Sequence, residues 1–232
     1  MICFGHRGAC GHEPENTIRS VRRALDLGAQ GIEIDVRNVG GELLVFHDAR
    51  LERTTNGRGY LSRQPLEYLR ALDAGYGERI PTLLEVCRAI DRRALLNIEL
   101  KGRRTAALVA ALIEDLVREE GWAYEQFIVS SFLRRELWAL RRVGAPQIPV
   151  GLLLARPTRF YRRAARLLQA TSVHPALRYV TERLVDDAHA DGRKVYVYTV
   201  NDPADLARMR ALKVDGVFSD FPERVCGPVA AT

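Results

Sequence analysis

Eight short apolar runs alternate with amphipathic stretches along the 232 residues of this chain. The apolar runs predict strands near residues 2–5, 31–36, 95–100, 127–130, 149–154, 170–174, 194–199 and 214–218. The stretches between them predict helices near 16–28, 82–92, 105–120, 133–142, 157–168, 181–191 and 203–212. Eight such repeats in a chain of this length indicate a (β/α)8 TIM barrel. A doubly wound open sheet is the alternative, although the early glycines lack the spacing of a dinucleotide-binding fingerprint.

One segment interrupts the alternation. Gly40 and Gly41 separate the strand at 31–36 from a second β-like run at 43–48. A Gly-Gly pair between two such runs signals a hairpin, and parallel neighbours would need a much longer connection. The second run is therefore predicted to be antiparallel to the first. It would bring His47 back to the level of the two carboxylates on the first strand.

Residues 49–81 continue as an irregular stretch that is rich in Gly and Arg and ends at Ile80 and Pro81. We expect a small insertion there, after which the regular pattern resumes. The chain has no internal repeat, and its length fits one large α/β domain better than two small ones. Residues 1–232 are therefore predicted to form one barrel domain that carries the insertion.

Composition and charge argue against several classes of protein. No apolar run is long enough to span a bilayer, and Met1 is not followed by a signal-peptide pattern, so we expect a cytoplasmic protein without stable membrane insertion. The net charge is +6, but the arginines between 156 and 166 share their segment with apolar residues at helical spacing. That pattern favours a solvated helix face over nucleic-acid binding. The four cysteines lie far apart, as expected of reduced thiols.

The predicted strand at 31–36 carries two carboxylates, Glu33 and Asp35, two residues apart. Because side chains alternate along a strand, both face one side while the apolar residues face the other. Two buried anions repel each other, and the usual relief is a bound cation, a shared proton or basic partners. The next barrel strand adds Glu99. Three acidic oxygen donors without cysteine suit a hard divalent cation, Mg²⁺ or Ca²⁺.

Basic side chains fall at the same predicted rim of the barrel. Arg7 follows the first strand, and Lys101 lies two residues beyond Glu99. With a metal they would make three positive centres, and phosphate is the commonest biological anion for such a site. His6 and His47 suit acid–base work, in which one takes a proton from the nucleophile and the other donates one to the leaving oxygen. These residues indicate metal-assisted hydrolysis of a phosphate ester.

Short motifs are spread over nearly the whole chain. They are His6-Arg-Gly8, Pro14-Glu-Asn-Thr17, Glu33-Ile-Asp35, His47-Asp48, Arg53-Thr-Thr-Asn-Gly57-Arg-Gly59, Glu99-Leu-Lys101, Ser130-Ser-Phe132, Tyr198-Thr-Val-Asn201 and Ser219-Asp-Phe-Pro222. Each motif alone is weak, but the ordered set is highly specific. The set resembles the motifs of the glycerophosphodiester phosphodiesterase family, whose barrel is shared with phosphatidylinositol-specific phospholipases C.

The resemblance implies that a small-molecule glycerophosphodiester is split into glycerol 3-phosphate and an alcohol, with one divalent cation, Mg²⁺ or Ca²⁺. The site residues it implies are the metal ligands Glu33, Asp35 and Glu99, the acid–base pair His6 and His47, and the phosphate-binding Arg7 and Lys101. Phe132 and Tyr198 are candidates for an apolar wall beside the glycerol carbons, with core packing as the alternative. Tyr198 stands where the family usually has tryptophan.

Two other functions stay open on the sequence. A related phosphodiesterase could act on lysophospholipids in the manner of a lysophospholipase D, or on glycerophosphoinositol-type headgroups. A non-catalytic barrel that binds phosphorylated ligands is the second alternative, but such a protein would be expected to have lost a catalytic histidine or a metal carboxylate. The sequence does not choose between water and a substrate hydroxyl as the nucleophile, and no heptad pattern indicates an oligomeric state.

Overall fold

The computed structural model describes residues 1–156 and 160–227, and it has the predicted barrel. Its strands are β1 (Ile2–Gly5), β2 (Gly31–Val39), β3 (Glu42–Val45), β4 (Leu95–Leu100), β5 (Phe127–Ser131), β6 (Val150–Leu154), β7 (Ser172–Pro175), β8 (Lys194–Val197) and β9 (Gly216–Ser219). All strands except β3 are parallel neighbours in one sheet, which closes because β1 pairs with both β9 and β2. The closed ring confirms the (β/α)8 barrel and excludes the open doubly wound sheet.

Helices connect the barrel strands. They are α1 (Ile18–Asp26), α2 (Leu66–Ala71), α3 (Leu83–Ile90), α4 (Ala106–Glu119), α5 (Arg134–Arg142), α6 (Tyr161–Leu167), α7 (Glu182–Ala190), α8 (Pro203–Ala211) and α9 (Pro222–Cys226). Every predicted helix is present with shorter bounds, although residues 157–159 of the helix predicted at 157–168 lie outside the described part of the chain. Thr17 caps α1 by accepting a hydrogen bond from the backbone of Ser20. In the described ranges, no helix has the length and apolar character needed to cross a bilayer.

The alternation of side chains along β2 separates the hydrophobic core from the polar site. Ile32, Ile34 and Val36 are fully buried in the main hydrophobic cluster, which lies between the strands and the helices. Glu33 and Asp35 face the other side of the strand, toward the inside of the barrel. The sequence pattern of β2 therefore sets both the packing of the barrel wall and the position of its carboxylates.

The predicted hairpin is confirmed, since β3 pairs antiparallel to β2. Gly40 and Gly41 have φ angles of 62° and 100°, the left-handed region that a tight two-residue hairpin turn requires. The backbone N–H of Phe46 donates to the carbonyl of Asp35 over 2.8 Å. His47 follows directly and so returns to the level of Asp35, as the sequence predicts.

Residues 49–81 are more regular than predicted. They contain α2 and a 3₁₀ turn at Leu61–Arg63. Apolar side chains from this stretch and the hairpin form a second hydrophobic cluster, made of Val39, Leu44, Phe46, Leu51, Leu61, Leu69, Leu72, Ala74 and Ile80. The sequence interpretation missed this cluster, because its leucines are widely spaced in a segment rich in Gly and Arg. The description of residues 1–232 as one domain with an insertion at 49–81 stays a prediction.

His174 is a fully buried histidine inside the barrel. Its Nε2 lies 2.8 Å from the hydroxyl of Ser172, while its Nδ1 has no hydrogen-bond partner in the described residues. The ring occupies the space that a side chain at Gly151 would need. Burial lowers the pKa of His174 to about 3, because a charged imidazolium cannot be solvated there.

This buried ring predicts that acid destabilises the protein. Between the pKa of His174 in the fold, about 3, and its ordinary value of 6.5, the unfolded chain binds more protons than the folded one. Stability therefore falls as the pH is lowered through 6.5. Going from about pH 7.5 to about pH 5, the His174 contribution to the unfolding free energy should drop by about 2 kcal/mol. Denaturant titrations of the wild type and His174→Gln at both pH values measure this drop. Equal losses of unfolding free energy in the two proteins would contradict the prediction.

Candidate active site

Three buried carboxylates meet where β2 and β4 pair, on the side that faces the inside of the barrel. They are Glu33 and Asp35 on β2 and Glu99 on β4, and one oxygen of each lies within 4.8 Å of the others. The sheet register explains the meeting, because Asp35 is the direct neighbour of Glu99 across the parallel pair. The structure therefore brings together the three residues predicted as metal ligands, which we call the carboxylate cluster.

Burial governs the electrostatics of the carboxylate cluster. Burial and the charge of Asp35 raise the pKa of Glu33, and burial raises the pKa of Glu99 although Lys101 opposes it. Burial alone would also raise the pKa of Asp35, but the charges of Lys101 and Arg7 lower it below its ordinary value. Without a cation, Glu33 and Glu99 therefore lose their protons at a higher pH than isolated carboxylates do.

The charge of the carboxylate cluster fits a divalent cation. Asp35 Oδ1 and Glu99 Oε1 are buried, and both lie against the Lys101 ammonium, at 3.3 and 2.6 Å. The other oxygen of Asp35 is held by the Asn16 side chain at 2.9 Å. One ammonium does not offset the charge of three buried carboxylates, and this imbalance calls for an explanation. A hard cation that takes oxygen ligands provides one.

His6 lies at the end of β1 and is held by an acidic partner. Its Nδ1 is 2.6 Å from Oδ1 of Asp220, and its Nε2 is 4.0 Å from Glu33. Because an ionised carboxylate only accepts hydrogen bonds, Nδ1 carries a proton and Nε2 is the free nitrogen. Burial lowers the pKa of His6, but the bond to Asp220 and the charge of Glu33 outweigh it and raise the pKa overall.

Asp220 is a residue whose role the sequence interpretation missed. It follows β9, and the Asn201 side chain fixes it by donating to its carboxylate over 2.6 Å and accepting from its backbone N–H over 2.9 Å. Its position directly after a barrel strand, inside one of the matched motifs, was the available signal. His6 and Asp220 are 214 residues apart, so their contact depends on the closure of the barrel between β1 and β9.

His47 has a similar partner but a different environment. Its Nδ1 lies 2.6 Å from Oδ1 of the adjacent Asp48. Arg53 of the insertion bridges Asp48 and Glu15, with nitrogen–oxygen distances of 2.5 and 2.6 Å. Burial lowers the pKa of His47 in spite of the favourable charge of Asp35. The roles of Glu15 and Arg53 in this bridge were also missed, although both lie in matched motifs.

The two predicted phosphate-binding cations border the carboxylate cluster. Arg7 contacts Glu15 at 2.8 Å and Asp35 at 3.3 Å, and Lys101 contacts Asp35 and Glu99. Their charges offset part of the buried negative charge. A guanidinium has five N–H donors, and the two contacts of Arg7 do not use all of them.

Phe132 and Tyr198 stand beside the cluster. Their rings meet edge to face with centroids 5.8 Å apart, and the Lys101 ammonium lies 5.6 Å from the centre of the Phe132 ring. Both line a small cavity of about 30 Å³ that His6, Glu33 and Glu99 also border. A larger cavity of about 510 Å³ is bordered by Cys10, Glu15 and Arg53. Of these two cavities, the small one is bordered by His6 and two of the three clustered carboxylates.

Comparisons with known proteins agree with this geometry. Residues 6–224 match the Glycerophosphoryl diester phosphodiesterase family. The chain is 38% identical to a glycerophosphodiester phosphodiesterase of Caldanaerobacter subterraneus, over 96% of this chain and 95% of the relative, and 34% identical to one of Bacillus altitudinis, over 95% of both. It resembles the structure of an Oleispira antarctica phosphodiesterase in complex with the product sn-glycerol-3-phosphate, with a TM-score of 0.89, 30% identity, and coverage of 97% of this chain and 95% of that one.

The pairing of His6 with Asp220 predicts how the histidine titrates. In Asp220→Asn, the pKa of His6 should fall, because an amide cannot stabilise the imidazolium as a carboxylate does. Titration of the imidazole proton signals by NMR in metal-free protein measures this change. Asp48→Asn removes the equivalent partner of His47 and should leave the His6 titration in place. An unchanged His6 titration in Asp220→Asn would contradict the assignment.

Proposed function

The chain belongs to the Glycerophosphoryl diester phosphodiesterase family, and we propose that it splits glycerophosphodiesters into glycerol 3-phosphate and an alcohol with a divalent cation and two histidines. The observation that carries the proposal is the convergence of the carboxylate cluster with two carboxylate-paired histidines at one rim of the barrel. The similar Oleispira antarctica structure, which contains sn-glycerol-3-phosphate, supports this product for the present chain.

Glu33, Asp35 and Glu99 would hold the cation. Their carboxylate oxygens suit Mg²⁺ and Ca²⁺ alike, and the choice between the two stays open. When bound, the ion supplies Lewis-acid polarisation of the phosphoryl oxygen. Its positive charge would also remove the reason for Glu33 and Glu99 to retain protons.

His6 and His47 would move the protons of the reaction. The Nδ1 of each ring is bound to a carboxylate, which fixes the ring and leaves Nε2 for the substrate. One histidine takes a proton from the attacking oxygen and the other donates one to the leaving oxygen. The negative partners, Asp220 and Asp48, stabilise each ring while it carries the extra proton.

Arg7 and Lys101 would hold the phosphate. Both lie against the carboxylate cluster, and a phosphate oxygen bound there would give each cation an additional acceptor. Phe132 and Tyr198 would then pack against the carbons of the glycerol group. The lining of the neighbouring cavity supports a polar leaving group over a long acyl chain, since charged side chains of Glu13, Glu15, Arg53 and Asp73 border it.

Replacement of His6 tests the acid–base assignment. With bis(p-nitrophenyl) phosphate or glycerophosphocholine as substrate, His6→Ala should lose about 100- to 10,000-fold in kcat/KM, the range typical of general acid–base catalysis. His12→Ala is the matched control, because His12 lies only six residues away, is partly exposed and pairs with Glu223 outside the cluster. It should keep wild-type activity. Equal activity of His6→Ala and His12→Ala would rule out the proposed role.

Metal removal tests the role of the carboxylate cluster. EDTA should abolish the hydrolysis, and added Mg²⁺ or Ca²⁺ should restore it. Glu99→Gln removes one ligand charge and should weaken cation binding at least about tenfold in a calorimetric titration. Glu114→Gln on the exposed face of α4 is the control and should bind the cation like the wild type. Full activity in EDTA would show that the cluster has another purpose.

A further inference from the structure

A second set of possible metal ligands surrounds the Nδ1 side of His6. Its atoms are His6 Nδ1, Cys10 Sγ and Asp220 Oδ1, all within 4.8 Å of one another. The separations are 2.6 Å from His6 to Asp220, 3.0 Å from Cys10 to Asp220 and 3.9 Å from Cys10 to His6. Ligand atoms around a tetrahedral Zn²⁺ lie about 3.3–3.6 Å apart. Shifts of less than about 1 Å would therefore admit the ion.

The chemistry of this set differs from that of the carboxylate cluster. A thiolate, an imidazole and one carboxylate are the ligands that Zn²⁺ prefers, whereas three carboxylates suit a hard ion such as Mg²⁺ or Ca²⁺. The two sets lie on opposite ring nitrogens of His6, since Nδ1 faces Asp220 and Nε2 faces Glu33. His6 is therefore positioned between a hard-cation site and a soft-cation site.

Solvent can reach the second set, and part of it is already rigid. The side chains of His6 and Asp220 are 21% and 25% exposed, and Cys10 lines the cavity of about 510 Å³. Asn201 holds Asp220 through both its amide nitrogen and its amide oxygen. An ion that enters from the cavity would therefore meet His6 and Asp220 already held in place by hydrogen bonds.

We propose that His6, Cys10 and Asp220 form an inhibitory site for Zn²⁺ that removes His6 from acid–base chemistry. The inhibition rests on the proposed function, whereas the binding of the ion does not. The ligand is identified by its chemistry as a soft to borderline divalent cation, with water in the remaining coordination position.

The proton balance explains the inhibition. In the zinc-free protein, Nδ1–H of His6 and the thiol of Cys10 both donate to Asp220, and burial together with the Asp220 carboxylate raises the pKa of that thiol. On binding, the thiol proton goes to solvent and the proton on Nδ1 moves to Nε2, while Zn²⁺ takes the sulfur and Nδ1. Nε2 then has no lone pair with which to accept a proton. The His6 ring, now neutral and bound to the metal, is also a far weaker acid than an imidazolium.

Zinc inhibition of the Mg²⁺-saturated enzyme tests the consequence. With bis(p-nitrophenyl) phosphate as substrate, Cys10→Ser should raise the Zn²⁺ concentration for half-inhibition at least about tenfold, each variant being compared with its own zinc-free rate. Cys226→Ser is the matched control, since Cys226 is also a partly exposed free thiol, and it should be inhibited like the wild type. Equal inhibition of Cys10→Ser and the wild type would overturn the proposal.

Cobalt binding tests the site without any catalytic readout. Co²⁺ added to the Mg²⁺-saturated protein should produce a thiolate-to-metal absorption band in the near ultraviolet, lost in Cys10→Ser and kept in Cys226→Ser. This experiment stays decisive even in a protein that hydrolyses no phosphodiester. The absence of a Cys10-dependent band would overturn the site. A Cys10-dependent band in an active enzyme that zinc does not inhibit would support the site and overturn its inhibitory role.

Discussion

The burial of three carboxylates side by side is the constraint on which the rest of the active face depends. Arg7 and Lys101 offset part of their charge, but Arg7 is shared with Glu15, so a negative centre remains. An interior of low polarity makes such a centre costly unless protons or a cation join it. A divalent ion bound here would relieve the repulsion among carboxylates that the fold keeps away from bulk water. Under the proposed function, one ion would therefore serve both stability and catalysis.

Closure of the barrel adds the histidine side of the site to the carboxylate cluster. The carboxylate cluster needs only the parallel pairing of β2 with β4, but the contact of His6 with Asp220 needs β1 beside β9. An open sheet could provide the pairing of β2 with β4, but not also the pairing of β1 with β9 that closes the barrel. The hairpin then adds His47, which follows the antiparallel strand β3 and returns to the level of Asp35.

The sequence predicted the parts of this arrangement that depend on short-range patterns. Alternation along β2 placed Glu33 and Asp35 on one face, and the Gly40-Gly41 turn set the return of His47, because both follow from the geometry of two or a few residues. Asp220 was not assigned, since its partner lies 214 residues away and its place in a matched motif does not by itself identify that partner. Residues 49–81 are more regular than predicted for a related reason. Their leucines pack against the hairpin, so their periodicity does not appear within the segment.

The two histidines are held in place by different parts of the fold, and this difference has consequences for the reaction. Asp220, the partner of His6, is fixed by Asn201 at the end of the barrel strands. Asp48, the partner of His47, is bound by Arg53, which belongs to the insertion and is itself exposed. A displacement of the insertion would therefore change the electrostatic support of His47 and leave that of His6 intact. Arg53 and Cys10 both border the larger cavity, so in the proposed reaction a group that occupies this cavity would lie against the supports of both histidines.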